Sequence, residues 1–85
     1  MNDMNDMKIQ RLYNRIGMIE CKLCSLNKRM EALTRELKES VSKYDTDSII
    51  TFVPGYVRHI EELHREIKAL EEQKRMLDWI AKEEQ

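Results

Sequence analysis

Apolar residues recur along the first half of the chain at alternating steps of three and four residues. The series is Ile9, Leu12, Ile16, Ile19, Leu23, Leu26, Met30, Leu33 and Leu37. Such a repeat places one apolar seam along an α-helix, with alternate members at heptad positions a and d. The pattern predicts a first helix over about residues 5–43 that packs along this seam.

The second half of the chain repeats the pattern with a wider apolar stripe. The seam continues at Val53, Tyr56, Ile60, Leu63, Ile67, Leu70 and Leu77. Val57, His64, Trp79 and Ile80 flank this series, and a wide stripe is typical of a multi-helix bundle. Lys74 at position a and Tyr56 at position d put polar groups in the seam, where they could set register or reach to the surface. The pattern predicts a second helix over about residues 54–83.

A break between the two helices is expected between Ser42 and Pro54. The segment from Asp45 to Ser48 is rich in residues that cap helices and compete for backbone hydrogen bonds. Pro54 lacks an N–H and disfavours helix at Val53, which places it near the first turn of the second helix. The sequence therefore predicts a capping loop or short turn over residues 44–53, folded over the end of the hairpin.

These elements predict an all-α fold in which residues 1–85 form one antiparallel helical hairpin. At 1.5 Å per residue the helices would be about 58 Å and 45 Å long, so the first would overhang the second. The apolar residues of the overhang, Met4, Met7 and Ile9, would then lack a partner within the chain. Two helices also leave half of each seam in water, and a homodimer that closes a four-helix bundle is the simplest remedy.

Composition and charge agree with long helices and exclude several classes of protein. Of the 85 residues, 41% are hydrophobic and 36% are charged, with only two Gly and one Pro. The net charge is −1, so no overall field draws the chain to nucleic acid or to a membrane. No apolar run reaches the roughly 20 residues of a membrane span, and the N-terminus does not resemble a secretory signal. We expect an intracellular, cytoplasmic protein without membrane contact.

The residues that could carry chemistry do not form a recognisable catalytic or metal site. Cys21 and Cys24 match a C-x-x-C spacing, but a zinc site needs four ligands and no second cysteine pair exists. His59 and His64 are five residues apart and would point in different directions from one helix. We expect no enzymatic activity, no metal and no cofactor, and two reduced thiols in the cytosol.

Lys8, Arg15, Lys22 and Arg29 all fall at heptad position g and form a basic edge along the first helix. One interpretation is a stripe that follows the phosphates of a nucleic acid. The other is ion pairing with acidic residues of a neighbouring helix, which is the usual role of position g. The near-neutral total charge favours ion pairing and leaves nucleic-acid binding as an alternative.

Several apolar residues outside the seam are candidates for contact with a partner. They are Met4 and Met7 near the N-terminus, Ile49, Ile50 and Phe52 in the expected cap, and the single tryptophan, Trp79. Aromatic anchors are over-represented among the residues that dominate binding energies. We therefore expect Trp79 to be buried in an interface.

A stretch of about 30 residues resembles the second helix and zipper of helix-loop-helix transcription factors, through Ser48, Ile49, Tyr56, Val57, Arg58 and Leu63. Those factors carry a basic, DNA-reading segment before their first helix, and here that region is an unbroken heptad seam. The resemblance implies a dimerisation protein of this type that does not bind DNA.

Taken as a whole, the sequence predicts a non-enzymatic protein–protein interaction module. It would self-associate through its heptad seams, with a homodimer favoured, and present a helical surface to a protein partner as an adaptor, a chaperone or an inhibitor. The alternatives are a regulatory hairpin that binds nucleic acid through the basic edge and a helix-loop-helix-like dimerisation protein.

Overall fold

The computed structural model describes the backbone of residues 3–84 and the side chains from Asp6 to Glu84. Helix α1 spans Asp3–Lys43 and helix α2 spans Thr46–Glu84, and no strand occurs between residues 3 and 84. The two helices run antiparallel in a rod of 68 × 14 × 13 Å. The predicted all-helical hairpin is therefore confirmed.

The connection between the helices is only two residues long, Tyr44 and Asp45. The Asp45 carboxylate accepts a hydrogen bond from the backbone N–H of Ser48 at 3.1 Å, and the Asp45 carbonyl accepts one from Ile49 at 3.0 Å. This is the geometry of an N-cap, in which a side-chain oxygen satisfies a donor of the first helical turn. The cap that the sequence indicated at Asp45–Ser48 thus starts α2 directly.

The predicted loop over residues 44–53 is wrong, because α2 continues through Pro54. Pro54 is exposed and its ring faces water, so the carbonyl of Ile50, which loses its helical partner, lies on the solvent side. Phe52 packs edge-on against Tyr44 at 5.7 Å and against Tyr56 at 5.9 Å between ring centroids. These aromatic contacts hold the segment before Pro54 in helical register with the remainder of α2.

The predicted N-terminal overhang is also wrong, because the two helices are almost equal in length. Helix α1 has 41 residues and α2 has 39, since the segment from Thr46 to Val53 adds two turns to α2. Lys8, near the start of α1, forms an ion pair with Glu84 at the end of α2 at 3.1 Å. The start of α1 therefore has α2 beside it, and Met7 is exposed because it lies on the side of α1 that faces away from α2. The side chain of Met4 lies outside the described residues.

All predicted seam residues are buried or half-buried, yet few are fully enclosed. The buried hydrophobic side chains are Ile16, Ile19, Leu26, Leu63, Ile67 and Ala81. Leu26, Leu63 and Ile67 form a central cluster against which neighbouring seam residues pack. Toward both ends of the rod the seam is only half-covered, as expected when two helices have no third layer.

Replacing Pro54 by Ala should stabilise the hairpin by on the order of 1–3 kcal/mol, because proline is far less favourable than alanine inside a helix. The position is exposed, so little packing is lost. Urea unfolding followed by circular dichroism measures the change. Gly17→Ala is a suitable control, since a Cβ there meets no atom within 4 Å and the expected gain is about 1 kcal/mol. A loss of stability in Pro54→Ala would indicate that the chain breaks at Pro54.

Asp45→Ala should lower the thermal midpoint at neutral pH, because it removes the acceptor that caps α2. Hydrogen bonds from Ser48, first from its hydroxyl and then from its backbone N–H, hold the pKa of the Asp45 carboxyl below its usual value of 3.8. Since the pKa is lowered by folding, the carboxylate stabilises the fold above the unfolded pKa, and this stabilisation is lost as pH falls through the folded pKa. The difference between the two proteins should therefore shrink in acid.

The measurement is thermal unfolding of both proteins at equal concentration, from pH 7 down to pH 2. Asp47→Ala is the matched control, because Asp47 lies in the first turn of the same helix. An effect of Asp45→Ala no larger than that of Asp47→Ala, at every pH, would contradict the capping role.

Candidate interaction surface

The rod has two long sides that remain exposed beside the seam, and cross-helix ion pairs identify them. Lys22 and Glu66, both at position g, approach to 3.9 Å on one side. Lys74 and Glu20 approach to 3.6 Å on the other. We call the first side the g/c face, formed by heptad positions g and c of both helices from Lys8 to Glu83. The opposite side, formed by positions e and b, is the e/b face.

The predicted basic edge lies on the g/c face, and its four members differ in their surroundings. Lys8 pairs with Glu84, and Lys22 pairs with Glu66, so these two cations meet carboxylates of α2. Arg15 and Arg29 are exposed and form no ion pair with any side chain between residues 6 and 84. The edge therefore contributes to hairpin pairing at two positions and leaves two guanidinium groups available to other molecules.

Lys74 occupies position a of the seam and is half-buried. Its ammonium group reaches out of the seam toward Glu20 of α1, so its aliphatic stem covers the neighbouring apolar residues while its charge stays at the surface. Of the two roles that the sequence left open, the geometry agrees with a side chain that extends to the surface. The pair still selects an antiparallel arrangement, because Glu20 lies at the height of Lys74 only in this register.

Large exposed apolar side chains occur on both faces and on the outer surface of α2. Met18 is 62% exposed and Met76 is 57% exposed, and both lie at position c of the g/c face. Trp79 is 63% exposed on the outer surface of the single chain, and its burial in an interface stays a prediction. Ile50 is 66% exposed on the e/b face near the turn. Single exposed apolar residues are ordinary, but a series of this size along one thin rod is typical of a surface that meets another protein.

The remaining predicted contacts are divided between the turn and the seam. Phe52 and Ile49 are half-buried and pack near the connection, where the sequence placed a cap. Met7 is exposed beside a shallow depression whose floor is formed by Leu12 and Leu77. Three basic side chains, Lys8, Arg11 and Arg15, surround that depression. Apolar surface and positive charge therefore lie side by side on the g/c face at the open end of the rod, which is the end away from the turn.

A second shallow depression lies on the same face near the turn. It is lined by Leu33, Phe52, Gly55, Tyr56 and His59. A Cβ placed on Gly55 would meet no atom within 4 Å, so the glycine leaves open space rather than relieving a contact within the chain. The two depressions occupy opposite halves of the g/c face.

The thiols and imidazoles do not assemble into a site for chemistry in the described structure. Cys21 and Cys24 are both exposed and unbridged. His59 and His64 are exposed on different faces. Within residues 6–84 no three His, Cys, Asp or Glu side chains are placed to hold a metal ion. No helix between residues 3 and 84 is long and apolar enough to cross a membrane.

Sequence reasoning missed one residue of the seam and several residues of this candidate surface. Ala81 extends the a series beyond Lys74 and is buried, but its small side chain gave a weak apolar signal. Met18, Met76 and Arg11 lie at position c, which a two-helix heptad pattern assigns to solvent. Only the pairing of the two helices shows that positions c and g of both helices form one continuous face.

Comparison with family models, with curated protein sequences and with solved structures gave no significant match. The resemblance to helix-loop-helix factors is thus not accompanied by a family match. Its residues, from Ser48 to Leu63, lie within the single helix α2. Functional inference therefore depends on the physical properties of this chain alone.

Replacing Lys74 by Leu should stabilise the hairpin by about 1 kcal/mol, because it adds apolar burial between the helices and loses only an exposed ion pair. Chemical denaturation at fixed protein concentration measures the change. Glu20→Gln, which removes the ion pair and leaves the seam intact, should change the unfolding free energy by less than about 0.5 kcal/mol. If Lys74→Leu were destabilising, the ion pair would be the larger contribution.

Proposed function

We propose that the protein is a non-enzymatic interaction module that self-associates into a homodimeric four-helix bundle and presents a helical surface to a protein partner. The observation that carries the proposal is the half-covered seam. Most seam residues retain contact with water, although they are aliphatic or aromatic. Removing them from water would contribute about 25 cal/mol for each Å² of apolar surface.

The exposed area of the single chain supports this proposal. The rod exposes 6793 Å², whereas a compact monomer of 10.2 kDa would expose roughly 5,300 Å². The difference of roughly 1,500 Å² exceeds the 800 Å² that each partner commonly loses in a stable protein complex. One hairpin therefore has enough surplus surface to form a complex and still offer a second face.

The partner surface would be the side of the bundle that self-association leaves exposed. Trp79 on the outer surface of α2 and Ile50 near the turn are the largest exposed anchors outside the g/c face. A rigid helical surface with such anchors fits the recognition of another helix or of a hydrophobic groove. This arrangement is suited to an adaptor, a chaperone of helical clients or an inhibitor.

Nucleic-acid binding is the second candidate, and the unpaired guanidinium groups of Arg15 and Arg29 favour it. With Lys8, Lys22 and Arg11 they could contact phosphates along α1. A gel shift at low salt distinguishes the two functions, because phosphate contacts weaken steeply as salt rises. Binding that Lys22→Glu and Arg29→Glu abolish would support this candidate, and no binding at low salt would exclude it.

Sedimentation equilibrium between about 1 and 100 µM tests self-association, with an expected mass of twice the 10.2 kDa chain. The thermal midpoint should also rise with protein concentration, because mass action stabilises a folded dimer. A monomer that unfolds cooperatively at one concentration-independent temperature would contradict the proposal. A mass of four chains would show that the protein is a tetramer and not a dimer. The proposal of a self-associating interaction module would still hold.

A further inference from the structure

The g/c face changes sign along its length, and helix α1 alone shows the change. Its g and c positions are basic in the N-terminal half, with Lys8, Arg11 and Arg15, whereas near the turn they carry Glu36 and Glu39 and end at Lys43. All six side chains are exposed. Within residues 6–84, Arg11, Arg15, Glu36 and Glu39 form no ion pair. The charges of this face are therefore largely unused by the hairpin itself.

The spacing of these charges is self-complementary. Lys8 at g and Arg11 at c are three residues apart, and so are Glu36 at g and Glu39 at c. If a second α1 lies antiparallel on the first, Lys8 meets Glu39 and Arg11 meets Glu36 in the same register. A two-fold axis repeats both contacts, because each copy offers one basic and one acidic half. The midpoint of these pairs lies between Leu23 and Cys24.

In helix α2, the sizes of the residues at position c indicate a two-fold axis at nearly the same place. Met76 and Gly55 both lie at position c of the g/c face. Met76 contributes a long exposed side chain, and Gly55 leaves open space. If α2 lies antiparallel on α2 of a second copy with Met76 over Gly55, the midpoint lies between Arg65 and Glu66. In this register Ile80 also lies within one residue of the height of Phe52, which lines the depression beside Gly55.

The two midpoints lie near each other along the rod, since they are within two residues of Lys22 and Glu66, whose ammonium and carboxylate groups approach to 3.9 Å. Charge spacing in α1 and side-chain size in α2 are independent observations, yet they specify one axis near the centre of the rod. We propose that a second copy of this chain docks antiparallel on the g/c face, α1 along α1 and α2 along α2. This inference rests on the proposed self-association and specifies its face and direction.

The size of the face is sufficient for such a dimer. A rod 68 Å long and 14 Å wide offers roughly 950 Å² of flat area, against about 800 Å² per partner in a typical stable complex. A central axis lets the two rods overlap along their whole length.

The e/b face lacks this complementarity. Its charges are mixed in sign along the open half, where Lys74 pairs with Glu20. Of its exposed large hydrophobic residues, Val41, Ile50 and Val57 are near the turn, and Tyr13 lies in the half away from the turn. An antiparallel copy would place the three residues near the turn over the mostly polar open half, so this face remains for the protein partner.

Charge exchange between two variants tests the inference. The acidic variant carries Lys8→Glu and Arg11→Glu, and the basic variant carries Glu36→Arg and Glu39→Lys. Each alone should dimerise at least about tenfold more weakly at low salt, because like charges then oppose each other at four contacts in the dimer. An equimolar mixture should form a heterodimer, since every pair again has opposite signs, and native mass spectrometry identifies it. Recovery in the mixture also shows that both variants fold.

Lys68→Glu with Lys82→Glu is the matched control, because it changes the net charge equally on the e/b face and should leave dimerisation unchanged. One outcome would overturn the inference: the wild type is a dimer, all three variants are equally dimeric, and the mixture forms no preferred heterodimer. In that case the g/c face is not the interface. The proposed self-association then stands. If the wild type is monomeric, the proposed function and this inference fail together.

A size change tests the α2 contact separately from charge. Gly55→Leu should raise helicity, because leucine favours helix, and yet weaken dimerisation by filling the space opposite Met76. Gly17→Leu on the e/b face is the control, with the same gain in helicity and unchanged dimerisation. Equal dimerisation of both variants would overturn the proposed contact.

The direction of the second copy is measured with spin labels on single cysteines. In an antiparallel dimer, labels at Ser42→Cys, with Cys21 and Cys24 replaced by Ser, should be separated by about 55 Å along the rod at 1.5 Å per residue. Labels on Cys21 alone should lie far closer, because Cys21 is near the axis. Two short distances would indicate a parallel dimer and contradict the inference.

Discussion

A helix in a two-helix hairpin can be covered by its neighbour along one line only, whereas an apolar stripe spans a wider angle. The properties of this chain follow from that geometric limit. Where the seam is deepest, around Leu26, Leu63 and Ile67, apolar side chains are enclosed. Elsewhere the same residue types remain half-exposed, and residues 3–84 hold no third element that could cover them. Association with another chain is the available means of removing that surface from water.

The helices and their antiparallel pairing could be predicted because the signal is repeated many times. Each heptad of α1 adds an independent pair of apolar residues, so an exception at one position does not change the prediction of the helix. The start of α2 depended instead on one residue. Pro54 disfavours helix locally, but the aromatic contacts of Phe52 with Tyr44 and Tyr56 join residues that a local pattern treats separately. Tertiary packing of this kind overrides propensity and cannot be read from a single segment.

The interaction surface was only partly predictable for a related reason. Heptad positions identify the seam without knowledge of the partner helix, so Leu26 and Leu63 could be named from the sequence. Position c has no assigned role until the helices are aligned, and Met18 and Met76 therefore gave no signal. The basic edge was visible because all four members share position g. The sequence could not show which of these cations form ion pairs, because that depends on where Glu66 and Glu84 of α2 lie beside α1.

In the proposed dimer, equal helix lengths and a central axis together would determine how many copies assemble. If the two-fold axis lay near one end of the rod, each dimer would leave half of the g/c face open to further copies, and a filament would follow. With the proposed axis beside Lys22 and Glu66, Lys8 and Arg11 of each copy would meet Glu39 and Glu36 of the other, and the two rods would overlap along their whole length. The assembly is then closed at two chains, as a symmetric interface requires. In the proposed dimer, the helical continuation through Pro54 would contribute to this closure, because it would place Phe52 and Gly55 within reach of the other copy.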